Sequence, residues 1–135
     1  MTEKTKQLMS LDVGEKRIGV ALADAAVRIA IPFGFVEVNG HELEEINHVI
    51  VQEGVNTLVV GLPRNSGGEE TAQTEFVRNF AKQLELSVDD LVFQDESLTS
   101  VEAEKRLKSY GKPYSKGDID TEAAVIILQD YLEEN

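Results

Sequence analysis

Two hydrophobic periods follow one another along this chain, and their order limits the fold more than any other feature. The first part is extended. Leu8 to Val13 reads as a strand, Gly14 to Lys16 as a turn, and Arg17 to Ala23 as its antiparallel partner. A third extended run, Ile29 to Val38, contains Pro32 and Gly34, which suggests a sheet edge or a bulge because proline cannot donate to a ladder. The period then lengthens. His41 to Glu53 spaces Leu43, Ile46, Val49 and Ile50 as a helix does, with Gly54 as its stop. Thr57 to Leu62 is short and nearly all apolar, as expected of a strand covered on both faces. Glu70 to Leu86 puts Ala72, Phe76, Phe80 and Leu84 on a predicted helical stripe. Leu91 to Phe93 begins another buried strand, ending in Gln94, Asp95 and Glu96. Thr99 to Glu102 has the capping-box pattern and starts a helix to about Tyr110, with Gly111 behind it. After a polar loop, Asp118 to Glu133 is the last helix.

The order β-β-β-α-β-α-β-α-α implies an α/β protein. Its mixed sheet has three antiparallel strands, then parallel ones, with helices on both faces. No repeat, low-complexity tract or linker divides the chain, so residues 1–135 are expected to form one domain. The absence of cysteine excludes disulfide scaffolds, thiol nucleophiles and Cys-ligated metal. Apolar runs such as Val125 to Leu128 are too short to span a membrane, and MTEKTKQLMS lacks the apolar core of a secretory signal. A cytoplasmic protein is expected. The formal net charge of −12 repels bulk polyanions, so composition alone speaks against a nucleic-acid partner.

Most acids, such as Glu42, Glu44, Glu45 and Glu75, fit solvated helix faces. Three do not. Asp12 lies inside the first strand, on the face of Leu8 and Ser10, where an unpaired carboxylate is costly. It reads equally as a turn-initiating residue ahead of Gly14. Glu96 ends a strand beside Asp95, where ligand sites gather in sheets of this kind; both acids also suit the start of the following helix. Asp120 aligns with Ala124, Ile127 and Tyr131 on the core-facing stripe of the last helix, while Asp118 better suits its cap. Three inward acids need counter-charge. Lys16 and Arg17 can supply part of it, and both also count among the candidates for binding substrate. Hard divalent cations supply it better, since oxygen-only clusters suit Mg²⁺ or Mn²⁺. Such clusters serve phosphodiester cleavage, with two ions about 4 Å apart.

These residues fall in blocks that resemble one family. Leu11-Asp-Val-Gly-Glu-Lys-Arg-Ile-Gly-Val-Ala is similar to the opening signature of the YqgF/RuvX proteins. Val59-Val-Gly-Leu-Pro-Arg-Asn with Gly67-Gly68, Asp95-Glu-Ser-Leu-Thr-Ser-Val-Glu-Ala, and Ile119-Asp-Thr-Glu-Ala-Ala-Val-Ile-Ile-Leu-Gln-Asp-Tyr-Leu follow in register. The resemblance implies an RNase H-like fold and a metal-dependent nuclease. It makes Asp12, Glu96 and Asp120 catalytic and metal-binding, with Asp95 beside them as a further ligand. The substrate it implies is the 5′ end of pre-16S ribosomal RNA or, alternatively, a Holliday junction. Ser97 stands where the family pattern has Arg, and Glu15 where a small or hydroxyl residue is common.

A substrate grip has several candidates. Arg64 and Asn65, in the loop from Gly61 to Gly68, can meet phosphate or merely turn the chain. Lys105, Arg106, Lys108, Lys112 and Lys116 make one positive edge on an acidic molecule, or a solvated helix end. Tyr110 and Tyr114 can stack on bases, though one core and one surface tyrosine is the plainer expectation. His41 and His48 read as surface residues. A resolvase would act as a twofold dimer, and no long apolar stripe is spare for one, so a monomer or weak homodimer is expected. A non-catalytic assembly factor keeps the same fold without the chemistry. An actin-like ATPase would need a second such domain.

Overall fold

A computed structural model describes residues 6–96 and 99–135. Strand β1 (Gln7–Val13) turns at Gly14, whose N–H donates to Arg17 O, into β2 (Arg17–Asp24). β3 (Ile31–Glu37), α1 (Glu42–Glu53), β4 (Val55–Pro63), α2 (Ala72–Lys82), a 3₁₀ turn at Glu85–Ser87, β5 (Asp90–Glu96), α3 (Thr99–Ser109) and α4 (Lys116–Glu134) follow. The sheet order is β3-β2-β1-β4-β5. β1–β2 and β2–β3 are antiparallel, whereas β1–β4 and β4–β5 are parallel. This is the expected mixed sheet, with β1 at its centre.

Alternation along β1 divides the core in two. Met9, Leu11 and Val13 join Ile46, Val49 and Ile50 of α1 and Val77 and Ala81 of α2. Leu8 on the opposite face joins Ala124, Ile127 and Leu128 of α4, and the Ser10 hydroxyl donates to Ala124 O at 2.6 Å. Asp12 is next in that second series, so it emerges at the end of β1 on the α4 side. α3 rests on α4 through Ala103, Ala123 and Ile126.

α1 stops where expected, with Gly54 left-handed at φ 64° and its N–H closing on Ile50 O and Val51 O. β3 lies at the edge, and its register slips at Val20/Ala21, so Phe33 has no opposite number between Pro32 and Gly34. α4 begins at Lys116, two residues earlier than expected. Ser115 caps it, and Asp118 completes a reciprocal capping box, the role its position suggested.

Two expectations fail. The buried stripe of α2 is Thr74, Val77 and Ala81, continued by Leu84, while Ala72 and Phe76 are exposed and Phe80 is half-buried. Repeated steps of four residues drift about 40° per step around a helix of 3.6 residues per turn, so alternating threes and fours hold the face better. β5 is an edge strand rather than a buried one. With β4 on one side only, its Leu91, Val92 and Phe93 remain half-buried. Thr99, expected to open α3 as a capping-box residue, is the helix's first residue, and residues 97 and 98 lie outside the described residues.

Candidate active site

Two glycines explain how acids from three elements meet at the end of β1. Asp12 pairs across the sheet with Gly19 of β2. A Cβ on Gly19 would sit 1.8 Å from the Asp120 carbonyl oxygen, so only glycine lets the first turn of α4 lie directly on β2. On the other side, Gly61 follows Val60, the β4 partner of Leu11. A Cβ there would come within 2.5 Å of Ile127 Cδ1 and 2.9 Å of Glu96 Oε2. Gly61 therefore leaves room for Glu96 to reach back over β4 toward Asp12. A glycine inside an apolar strand signals close approach of something. What approaches only the fold reveals.

The carboxylates interact strongly. Burial pushes the Asp12 carboxyl up to about 9, reinforced by the Glu96 charge, a hydrogen bond with Glu96 and the Asp120 charge. Burial also raises Glu96, against hydrogen bonds from Asp12 and Thr99 that lower it. At neutral pH Asp12 keeps a proton and shares it with Glu96 unless a cation replaces it. Asp120 is held differently: Arg17 Nε donates to its Oδ2 at 2.8 Å, with both side chains 23% exposed. Among the described residues no three His or acidic side chains are gathered closely enough to cage one ion as they stand. The donor set nevertheless suits hard divalent cations: three carboxylates, oxygen only, one of them forced to hold a proton without added positive charge.

The acids line a cleft of about 690 Å³, together with Arg64, Asn65 and the residues Gln73, Thr99 and Ser100. Thr99 is buried against Glu96, and the sequence reading gave it only a capping role. Arg64 donates from Nε to Asp95 Oδ1 at 3.0 Å and from Nη1 to Gly68 O. Asn65 Oδ1 accepts from the N–H groups of Gly67 and Glu69, so its side chain shapes the loop.

Asp95, expected as a further metal ligand, stands apart from the trio. Alternation puts Glu96 with Val92, on the α4 side, and Asp95 with Leu91 and Phe93, on the other. Its carboxylate is spent on Arg64. Lys16 is exposed and does not line the cleft. Lys105 and Lys108 are exposed on α3, also off the cleft, and Arg106 lies 3.6 Å from Glu102 and 3.7 Å from Glu122. His41 and His48 are on the surface as expected. Neither tyrosine is in the core, contrary to expectation: Tyr110 is exposed, and half-buried Tyr114 donates to Glu104 Oε2 at 2.8 Å. Ser97 lies outside the described residues.

Residues 6–134 match the family described as RuvX: Holliday junction resolvase. The chain belongs to the RuvX family. Among relatives, a Chloroflexus aurantiacus protein named "Putative pre-16S rRNA nuclease" is 45% identical over 133 residues, covering 93% of this chain and 86% of its own. A Synechocystis protein of the same name is 40% identical over 141 residues, covering 98% and 90%. Among solved structures, T. thermophilus RuvC in complex with Holliday junction substrate superposes with a TM-score of 0.61 at 12% identity, over 96% of this chain and 94% of that one. The RuvX chain thus has the RuvC fold, the RNase H-like α/β arrangement its sequence implied.

Proposed function

We propose that this RuvX protein is an endonuclease cutting phosphodiester bonds with Mg²⁺ or Mn²⁺, residues 1–135 acting as one RNase H-like unit. The observation that carries the reading is the meeting of Asp12, Glu96 and Asp120 in one cleft from three different elements. These three would hold the ions. Bound there, the ions would activate a water and stabilise the leaving oxygen. Asp12, central between Gly19 and Gly61, is placed to serve both sides of the cluster, while Glu96 and Asp120 each serve one. Arg17 fixes the Asp120 carboxylate through Nε, and Thr99 fixes that of Glu96. Arg64, pinned by Asp95, offers positive charge at the cleft wall, with Asn65 shaping the loop. Lys16, Lys105, Arg106 and Lys108 add positive charge farther out, favouring phosphate approach without lining the cleft.

The substrate we assign is precursor 16S ribosomal RNA, near its 5′ end, on the strength of the relatives' names. The setting we assign is the cytoplasm, where a precursor of ribosomal RNA would be met. Among the described residues no helix is long and apolar enough to cross a membrane. A Holliday junction is the second reading, favoured by the family description and by the RuvC likeness. The test is cleavage of a 5′-leader RNA and a four-way DNA junction side by side in Mn²⁺. Cleavage of the RNA, lost in Asp12→Asn, Glu96→Gln and Asp120→Asn alike, is the expected result. The triple variant should be little worse than any single one, because groups acting as a unit are non-additive. Junction cleavage alone would move the assignment to a resolvase. Near-wild-type rates in Asp12→Asn would end the nuclease reading.

A further inference from the structure

A second groove of about 310 Å³ opens between the start of α3 and the start of α4. It shares Ser100, Val101 and Asp120 with the main cleft, so the two cavities meet at the acids. Arg17 lines the second groove, as do Lys116 and Glu104. Arg17 is already oriented: Asp120 engages its Nε, and its two Nη nitrogens have no hydrogen-bond partner among the described residues. The Arg17 side chain is 23% exposed, so the guanidinium is reachable from the groove. A guanidinium held by one carboxylate and open at its fork is prepared for a second oxyanion at little cost in side-chain entropy. Lys116, at the first position of α4, is exposed and has no carboxylate in ion-pair distance among the described residues. Val101, 53% exposed, lines both cavities and offers apolar surface to a sugar.

We infer that Arg17 and Lys116 form a phosphate subsite for the nucleotide next to the scissile bond, so that a single strand crosses the acids from the main cleft into this groove. The inference rests on the nuclease reading above and deepens it. A strand cut in the middle must be held on both sides of the cut, and this groove, joined to the main cleft at the acids, would hold the second side. The α3 cluster Lys105, Arg106 and Lys108 lines neither cavity, so the charge that meets the strand here comes from α4 and β2. Glu104, its Oε2 accepting from Tyr114, opposes the subsite from the groove wall. That opposition gives the test two signs.

The experiment measures binding of a short single-stranded RNA by fluorescence anisotropy in Ca²⁺ across a salt series, with Mn²⁺-dependent cleavage followed separately. Lys116→Gln should weaken binding roughly threefold to fivefold, as for a partly exposed charge contact. It should also reduce the salt slope by about 0.7, the share of one phosphate on a single strand. Glu104→Gln keeps the acceptor for Tyr114 and removes the charge, so it should tighten binding. Lys82→Gln on α2, the same charge change far from either cavity, should do neither. If Lys116→Gln behaves as Lys82→Gln, or Glu104→Gln weakens binding, the subsite is overturned while the nuclease reading stands. If the wild type cleaves no nucleic acid in Mn²⁺, it is the nuclease reading that falls.

Discussion

Asp12 has a cost that its neighbours set. In an unfolded chain its carboxyl titrates near 3.8; in the fold, burial and Glu96 carry it to about 9. Folding therefore binds a proton over this whole interval. The sign follows from linkage: the contribution is fully present below about pH 4 and is lost as pH rises toward 9. With metal chelated, the melting temperature should fall across that window. Asp12→Asn should flatten the profile and be more stable than wild type at neutral pH, each kcal/mol appearing as roughly 2–4 °C. Thermal melts in EDTA from pH 4 to 9 check this, and a destabilised Asp12→Asn would give Asp12 a structural role instead. Asp12 was legible in the sequence because aspartate inside a strand conflicts with its surroundings. The difference between Asp95 and Glu96 was not, because both faces of β5 are apolar and alternation alone does not say which one meets α4.

At the scale of elements, the site depends on how closely α4 and β5 approach β4 and β2. Gly61→Ala would press on Ile127 of α4 and on the Glu96 carboxylate together. The two effects are separable. Shortening Ile127 to Val in the Gly61→Ala background should recover most of the lost stability, since a methyl added at one position is removed at the other. The Glu96 contact remains, so the rise in melting temperature given by millimolar Mn²⁺ should stay well below that of wild type. Recovery of both together would mean that Gly61 serves packing alone. Strand and helix existence was readable from period, and the edge role of β3 from Pro32. The phase of α2 was not: Phe76 and Phe80 looked like core by hydrophobicity, whereas the position facing inward belongs to Thr74, which donates to Pro63 O.

For the whole molecule, the net charge of −12 and a polyanionic substrate oppose each other at long range. At 0.01 M ionic strength fields extend about 30 Å, and at 0.15 M only about 8 Å. The contacts proposed for Arg64, Arg17 and Lys116 would act within a few ångströms and would be weakened only at higher salt. At fixed Mn²⁺, kcat/KM should thus rise from 10 mM to about 150 mM monovalent salt and fall beyond it. A fall from the lowest salt onward would show that the acidic surface is not felt by the substrate. Composition alone argued against nucleic acid because it averages over the surface, and chemistry at a cleft does not.

The first strand and the last helix meet across nearly the full length of sequence. Ser10 bonds to Ala124 over 114 positions, and Arg17 to Asp120 over 103. Contacts of that span close late in folding, after the intervening loop has lost its entropy. A chain with β1 and β2 already paired thus owns Asp12 but not the cluster. On the proposed nuclease reading, competence to cleave and completion of folding would be one event.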